Sequence, residues 1–219
     1  MKNLTLIIPA REEKESLPQV MDEIKNLDCK KKVILAPDDI DTINAIKNLN
    51  VDIIYQNSHG FGDALITGIN NVDTDYFCIF NADGSFDPKE LKMMYQLINS
   101  TDFVFGSRYM ENAGSEDDTI MTYVGNKIFT LIGNLFFSLN ISDILYTFVM
   151  GRTKKAQTLN LKEKDFGFCV ELPIKAKKSN LSMSTCPSNE RKRIAGKKKV
   201  NEFRDGFNIL ISMIKLFFK

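Results

Sequence analysis

Histidine is almost missing from this chain of 219 residues, with His59 the single example. A metal site built from several imidazoles is thereby excluded. Cysteine is sparse as well. Cys29, Cys78, Cys169 and Cys186 stand far apart and form no Cys-x-x-Cys pair. That spacing predicts free thiols in a reducing compartment, and neither a disulfide framework nor a zinc site. Net charge is only +1, so no overall sign draws a partner and nucleic acid is not expected. Internal repeats and low-complexity tracts are absent. The first residues lack the basic, apolar and small-residue segments of a secretion signal and enter a strand pattern at 4–8. The expectation is a cytoplasmic protein. Even the apolar segment 120–141 is interrupted by Asn126, Lys127, Asn134 and Asn140. Such positions are penalised in a bilayer core, so a buried or interfacial helix pair is expected there rather than a span.

Hydrophobic residues make up 43% and charged residues 26%, as in an ordinary globular protein with a real core. Strand patterns at 4–8, 33–36, 51–55, 76–80 and 103–105 alternate with helical ones. The alternation predicts an α/β fold with a mostly parallel sheet covered by helices on both faces. Beyond it the pattern predicts a strand at 143–150, a helix at 166–177, a strand at 181–186 and a last helix. The division expected is an α/β domain over 1–200 and an amphipathic carboxyl-terminal helix over 201–219. In that helix Arg204, Asn208, Ser212, Lys215 and Lys219 form a narrow polar stripe, and Phe203, Phe207, Leu210, Ile211, Ile214, Phe217 and Phe218 cover most of the rest. It suits packing on the core, contact with a second copy in a homodimer, or lying in the plane of an anionic membrane on its inner face.

The run Phe77-Cys78-Ile79-Phe80 ends abruptly in Asn81-Ala82-Asp83-Gly84. Open α/β sheets place ligand chemistry at the carboxyl ends of their strands. A carboxylate delivered there, Asp83, suits Mg²⁺ or Mn²⁺ gripping a diphosphate, with Asn81 offering a neutral oxygen. Asp87 precedes Pro88 and reads as a helix cap. Arg11, Glu12 and Glu13 follow the first strand and Arg108 the fifth, all at the same edge. The turn Gly60-Phe61-Gly62 suits phosphate at a helix amino terminus, whereas Gly68 suits close helix–sheet packing and His59 an ordinary loop. Glu171, inside an apolar stretch, needs a task or a partner: a general base or a structural ion pair. Residues 190–199 carry six cations against Glu190. They read as a solvated loop or as a patch facing phosphate or a membrane.

Together these segments resemble glycosyltransferase family 2, in particular its dolichol-phosphate mannosyltransferase-like branch, over about residues 4–214. The residues carrying the resemblance are Ile8-Pro9-Ala10-Arg11-Glu12-Glu13 with Leu17-Pro18, then Gly60-x-Gly62-x-Ala64-Leu65-x-x-Gly68, Asn81-Ala82-Asp83, Gly106-Ser107-Arg108-Tyr109 and Arg193-x-x-Gly196-x-x-Lys199. The chain departs from the family at Glu12, where Asn is usual, and at Asn81, where Asp is usual. Leu35-Ala36-Pro37-Asp38-Asp39 replaces the usual Val-Asp-Asp-Gly-Ser, with Asp38 or Asp39 a shifted substitute. No Arg follows Asp143 at Thr147-Phe148-Val149.

The resemblance implies a GT-A fold and an inverting transfer from a nucleotide-diphospho-sugar with Mg²⁺ or Mn²⁺. It assigns Pro9, Ala10, Arg11, Glu13, Asp38, Gly62, Asn81, Ala82, Asp83 and Arg108 to the donor, Asp83 and Asn81 to the metal, and Arg193 and Lys199 to an acceptor or phosphate. A polyprenyl phosphate or cell-envelope glycan precursor would suit the basic loop and apolar tail. Such a phosphate is already anionic, while an alcohol acceptor would need a base, with Glu171 the first candidate. Two alternatives stand beside this. A sugar nucleotidyltransferase would share Ile8-Pro9-Ala10-Arg11 but requires a glycine-containing loop soon after, and Glu12–Glu15 and Pro18-Gln19 supply no glycine. A non-catalytic sugar-nucleotide-binding subunit would explain Asn81.

Overall fold

A strand buried on both faces must be apolar at nearly every position, and β1 (Leu4–Ala10) is buried throughout except at Pro9. In the computed structural model, which describes residues 1–196 and 199–218, it lies at the centre of the sheet's parallel half. Lys197, Lys198 and Lys219, counted above in the basic run and the polar stripe, lie outside the described residues. After β1 come α1 (Leu17–Glu23), β2 (Lys30–Leu35), α2 (Ile40–Ile46), β3 (Asp52–Tyr55), α3 (Phe61–Asn70) and β4 (Tyr76–Ile79). A 3-10 turn (Pro88–Glu90) leads into α4 (Leu91–Leu97), then β5 (Phe103–Ser107), β6 (Gly114–Ser115) and α5 (Ile120–Phe137). The chain continues through β7 (Val149–Arg152), α6 (Thr153–Thr158), α7 (Phe168–Lys178), β8 (Met183–Pro187), β9 (Asn189–Glu190) and α8 (Glu202–Phe217).

The main sheet has seven strands in the order β3-β2-β1-β4-β7-β5-β8. All neighbours pair in parallel except β7, which is antiparallel to both β4 and β5. The α/β expectation is met, with helices on both faces. Side chains alternate across β1: Ile7 enters one core with Phe77, Phe103 and Phe168, whereas Leu4, Leu6 and Ile8 enter the other with Phe80, Phe86 and Phe148. Gly68 packs α3 on the sheet as expected, since a Cβ there would stand 2.3 Å from the Ile7 Cγ2.

Three expectations change. The strand expected at 143–150 is displaced to β7, because residues 143–148 run as irregular backbone that buries Ile144, Tyr146 and Phe148. The helix pair at 120–141 is one helix, α5, and it is not buried. Its fully buried positions are Asn126, Thr130 and Gly133, with Phe129, Ile132 and Phe137 half-buried against the core, leaving Ile120, Ile128, Leu131 and Leu135 in solvent. Finally, the polar stripe of the last helix does not mark its outer face. Ser212 points inward and donates to Glu163 at 2.8 Å, while Ile209, Met213 and Leu216 join the core. Phe203, Phe207, Phe217 and Phe218 stay exposed. Among the described residues, no helix is long and apolar enough to cross a membrane.

Burial pushes the thiols of Cys169 and Cys186 up to about 12 and that of Cys78 well above its ordinary value. All four cysteines are free, as the spacing implied.

Candidate active site

Strands β1 and β4 end side by side, and their following loops open into a cleft of about 630 Å³. Pro9, Ala10, Arg11 and Glu13 line it from the first loop, Asn81, Ala82 and Asp83 from the second. Arg108, after β5, and Arg193 and Lys199, from the loop before α8, complete that side. The structure thus brings ten of the expected site residues into one cavity, while Asp38, Gly62 and Glu171 lie outside its lining.

The first loop is fixed by α2. Asp39 caps that helix by accepting from Thr42 N at 3.4 Å, and it also accepts from Glu12 N at 2.7 Å. Glu12 is held at φ 55°, a left-handed conformation that Asn adopts far more readily than Glu. This is a physical reason for the Asn usual at that position. Glu12→Asn is expected to stabilise the fold by about 0.5–1 kcal/mol in urea unfolding, since the side chain itself is exposed. Arg11 pairs with Asp38 at 2.5 Å on the exposed rim, and this guanidinium holds the Asp38 carboxyl below its usual range. Asp38 therefore reaches the cleft only through Arg11.

In the second loop Asp83 Oδ1 accepts from Ser85 N at 3.0 Å, and Oδ2 lies 3.8 Å from Arg193. Asn81 Nδ2 donates to Ser85 Oγ at 3.4 Å. Arg193 also binds Asp117 at 2.7 Å, and that bond raises its pKa. Lys199 spans the chain to meet Glu13 at 2.5 Å and the Arg11 carbonyl. The basic run is thus neither a free solvated loop nor an outward patch at these positions. Arg191 grips Glu23 and the Phe86 carbonyl. Arg193 and Lys199 are turned into the cleft.

Arg108 pairs with acids. Its guanidinium donates to Asp143 at 2.8 and 3.0 Å and to Glu190 at 3.1 Å, with Asp118 at 3.7 Å. Burial opposes its charge, but the bonds to Asp143 and the charges of Asp143 and Glu190 act together to raise its pKa. Asp143 is only 1% exposed and also receives the Arg108 N–H and Asn126 Nδ2.

The glycine turn serves the fold. A Cβ on Gly62 would stand 2.2 Å from the Glu163 carbonyl oxygen, and Asp63 N already donates to the Lys164 carbonyl at 2.8 Å. Loop 163–165 therefore occupies the amino terminus of α3, where a phosphate was expected. Of the two tasks open to Glu171, the structure shows the ion pair. Glu171 is 2% exposed, accepts from Lys162 N and Glu163 N at 2.8 Å each, and pairs with Lys175 at 2.8 Å. The structure commits this carboxylate to an ion pair and a loop brace. Asp87 accepts from Lys89 N as a cap, and His59 is an exposed loop residue on the cleft wall.

Other lining residues escaped the sequence reading. They include Gln56, Asp117, Asp118 and Glu190, and an apolar wall from α5 and α8. The repeat Met121, Gly125, Phe129 at helical spacing was the available signal for that wall.

Residues 5–159 match the profile of the family Glycosyl transferase family 2. The chain belongs to this family. A curated relative, the low-salt glycan biosynthesis hexosyltransferase Agl6 of Haloferax volcanii, is 22% identical over 212 residues. That alignment covers 93% of this chain and 51% of Agl6, so the chain spans about half the length of the curated relative. Among solved structures, glucosyl-3-phosphoglycerate synthase from Mycobacterium tuberculosis with Mn²⁺, UDP and glucosyl-3-phosphoglycerate has a TM-score of 0.77 at 13% identity. It is matched over 97% of this chain and 79% of that one. The same enzyme with Mg²⁺ and UDP has a TM-score of 0.72 at 13% identity, over 97% and 78%. At such identities the likeness shows the shared GT-A fold.

Proposed function

We propose that this chain transfers a hexose, with inversion, from a nucleotide-diphospho-sugar to a polyprenyl phosphate or cell-envelope glycan precursor, as in the dolichol-phosphate mannosyltransferase-like branch. The observation that carries the reading is Asp83 at the carboxyl end of β4, 3.8 Å from Arg193 in the cleft. The acceptor oxygen attacks the anomeric carbon from the face opposite the diphosphate. A carbon–oxygen bond forms there as the bond to the β-phosphate oxygen breaks, and its electron pair leaves with the nucleoside diphosphate. Arg193 and Lys199 supply positive charge to that leaving group. A phosphate acceptor carries its own negative charge at neutral pH, so no base is required.

The donor set fits a divalent cation only in part. Among the described residues no three carboxylate, thiol or imidazole groups converge to hold one. Ions of the Mg²⁺ class commonly take one or two carboxylates and complete their shell with substrate phosphates and water. Asp83, with Asn81 offering its amide oxygen, would be the protein's share. When bound, the ion neutralises charge on the departing diphosphate. Among the described residues, seven carboxylates and four Arg or Lys side chains line the cleft, a balance that supports this need. A dianionic donor entering alone would be repelled. Chelation with EDTA is expected to weaken nucleotide-sugar binding at least tenfold by calorimetry, and Mn²⁺ to restore it.

The deciding experiment is a screen of uridine- and guanosine-diphosphate sugars for nucleoside-diphosphate release, with and without polyprenyl phosphate. Release stimulated by the lipid supports the proposal. Binding without release across all pairs would instead favour the non-catalytic subunit that Asn81 suggests.

A further inference from the structure

Arg193 has two acids within its reach and bonds to one of them. Its guanidinium donates to Asp117 from Nη2 at 2.7 Å and from Nε at 3.5 Å, the two-point grip that a planar fork favours. The remaining nitrogen, Nη1, stands 3.8 Å from Asp83 Oδ2. A charge-assisted bond would close that gap to about 2.7–2.9 Å. Asp83 Oδ1 is taken by Ser85 N, whereas Oδ2 accepts no hydrogen bond among the described residues.

The backbone leaves this choice to the side chain. Strands β6 and β9 pair in parallel, Ser115 beside Glu190, and Glu116 N donates to the Glu190 carbonyl at 2.9 Å. Asp117 and Arg193 follow directly from that ribbon. The segment after β9 is also laced to the Asp83 loop. Arg191 N donates to the Ser85 carbonyl and Ile194 N to the Asp83 carbonyl, at 2.8 Å each. Arg193 is therefore carried between its two acids on a fixed frame, and a small rotation of the side chain would exchange them. Nor is Asp117 held for another purpose. Its neighbour Asp118 accepts from Tyr109 Oη at 2.5 Å and Thr122 Oγ1 at 2.7 Å. Among the described residues, Arg193 is the only side chain bonded to the Asp117 carboxylate.

A hard divalent ion needs oxygen ligands, and a guanidinium seated on the same carboxylate would compete with it. We propose that Asp117 is a positioning residue that holds Arg193 off Asp83, leaving Oδ2 to a divalent ion while the guanidinium stays in the cleft. This role rests on the reading of Asp83 as the ion's ligand in a transferase. It deepens that reading by saying why a cation beside the ligand does not exclude the ion. Without Asp117, the guanidinium closes on Asp83.

The probe is Mn²⁺ alone, titrated into the full chain and read from the free-ion electron paramagnetic resonance signal. Asp117→Asn keeps the shape of the side chain and is expected to weaken Mn²⁺ binding about tenfold or more. In an Arg193→Met background the same change is expected to cost about threefold at most, because no guanidinium remains to move. Asp117→Glu can still grip Arg193 and is expected to stay within about threefold of the wild type. Asp117→Ser repeats the first measurement should the asparagine variant fold poorly, and thermal melts check each protein. Mere loss of a nearby charge, or of loop structure, would weaken the ion by the same factor whether residue 193 is Arg or Met. Equal factors therefore overturn the proposal, as does undiminished affinity in folded Asp117→Asn. Asp83→Asn is the separate control. Mn²⁺ binding that survives it unchanged, or that is absent from the wild type, defeats the reading of Asp83 as an ion ligand, and Asp117 then has no ion to make room for.

Discussion

Asp83→Asn is expected to lower sugar transfer about 100- to 1000-fold, corresponding to roughly 3–4 kcal/mol of lost charge stabilisation at the diphosphate. Asparagine keeps the volume and keeps an oxygen for Ser85 N, which Asp83 Oδ1 holds at 3.0 Å. It removes the charge that faces Arg193 and would hold a cation. That pair is only partly buried, so its loss should change the melting temperature by a few degrees at most, about 1 kcal/mol or less. The informative comparison is turnover against stability, measured on the same preparations. A variant of full activity that still requires Mn²⁺ would remove Asp83 from the site. Extra Mn²⁺ should recover little of the loss, since the missing group is a ligand and not a steric gate.

The second large effect concerns stability. Asp143→Ala is expected to destabilise the fold by about 3–5 kcal/mol, because it strips a buried cation of its main partner. Four donors lose their acceptor: Arg108 N, Nε and Nη2, and Asn126 Nδ2. In a chain of this size the melting temperature should fall by roughly 6–20 °C, read by calorimetry or by urea unfolding. Pairing the change with Arg108→Met should cost less than the sum of the single variants. Glu190 and Asp118 would then lack their own cation, so recovery should be incomplete. Equal additive losses would show that Arg108 and Asp143 do not act as a unit.

The parallel half of the sheet was legible because strands buried on both faces write themselves as apolar runs, and the acid at the end of β4 interrupts such a run. The late strand was misplaced for a related reason. Ile144, Tyr146 and Phe148 are apolar because they fill a core as irregular backbone, and composition alone cannot separate that from a strand. Glu171 left a base and an ion pair open, because an isolated carboxylate in an apolar helix demands a task or a partner. The partners are Lys175 four residues on and two backbone N–H groups from a loop, and no periodicity reveals a loop donating inward. Gly62 misled similarly, since a glycine beside a helix start serves a carbonyl as well as a phosphate. The wall of α5 and α8 went unseen because it forms between stripes some eighty residues apart. In α8 the inward face includes Ser212 and Asp205, which inverts the expected sense of polar and apolar sides.

Placement of β7 has a consequence for biosynthesis. Among the described residues it is the only strand between β4 and β5, and it lies later in the chain than both. As the polypeptide leaves the ribosome, the four strands from β3 to β4 can assemble in sequence order, but β5 has no neighbour to join. At about 5–20 residues per second, the interval before Val149–Arg152 is synthesised lasts roughly 2–8 s. During it both β4 and β5 present open hydrogen-bonding edges with phenylalanine-rich faces, the condition under which nascent chains associate with one another. Ribosome-bound chains stalled shortly before residue 149 should therefore recruit chaperones more strongly than chains stalled after β8.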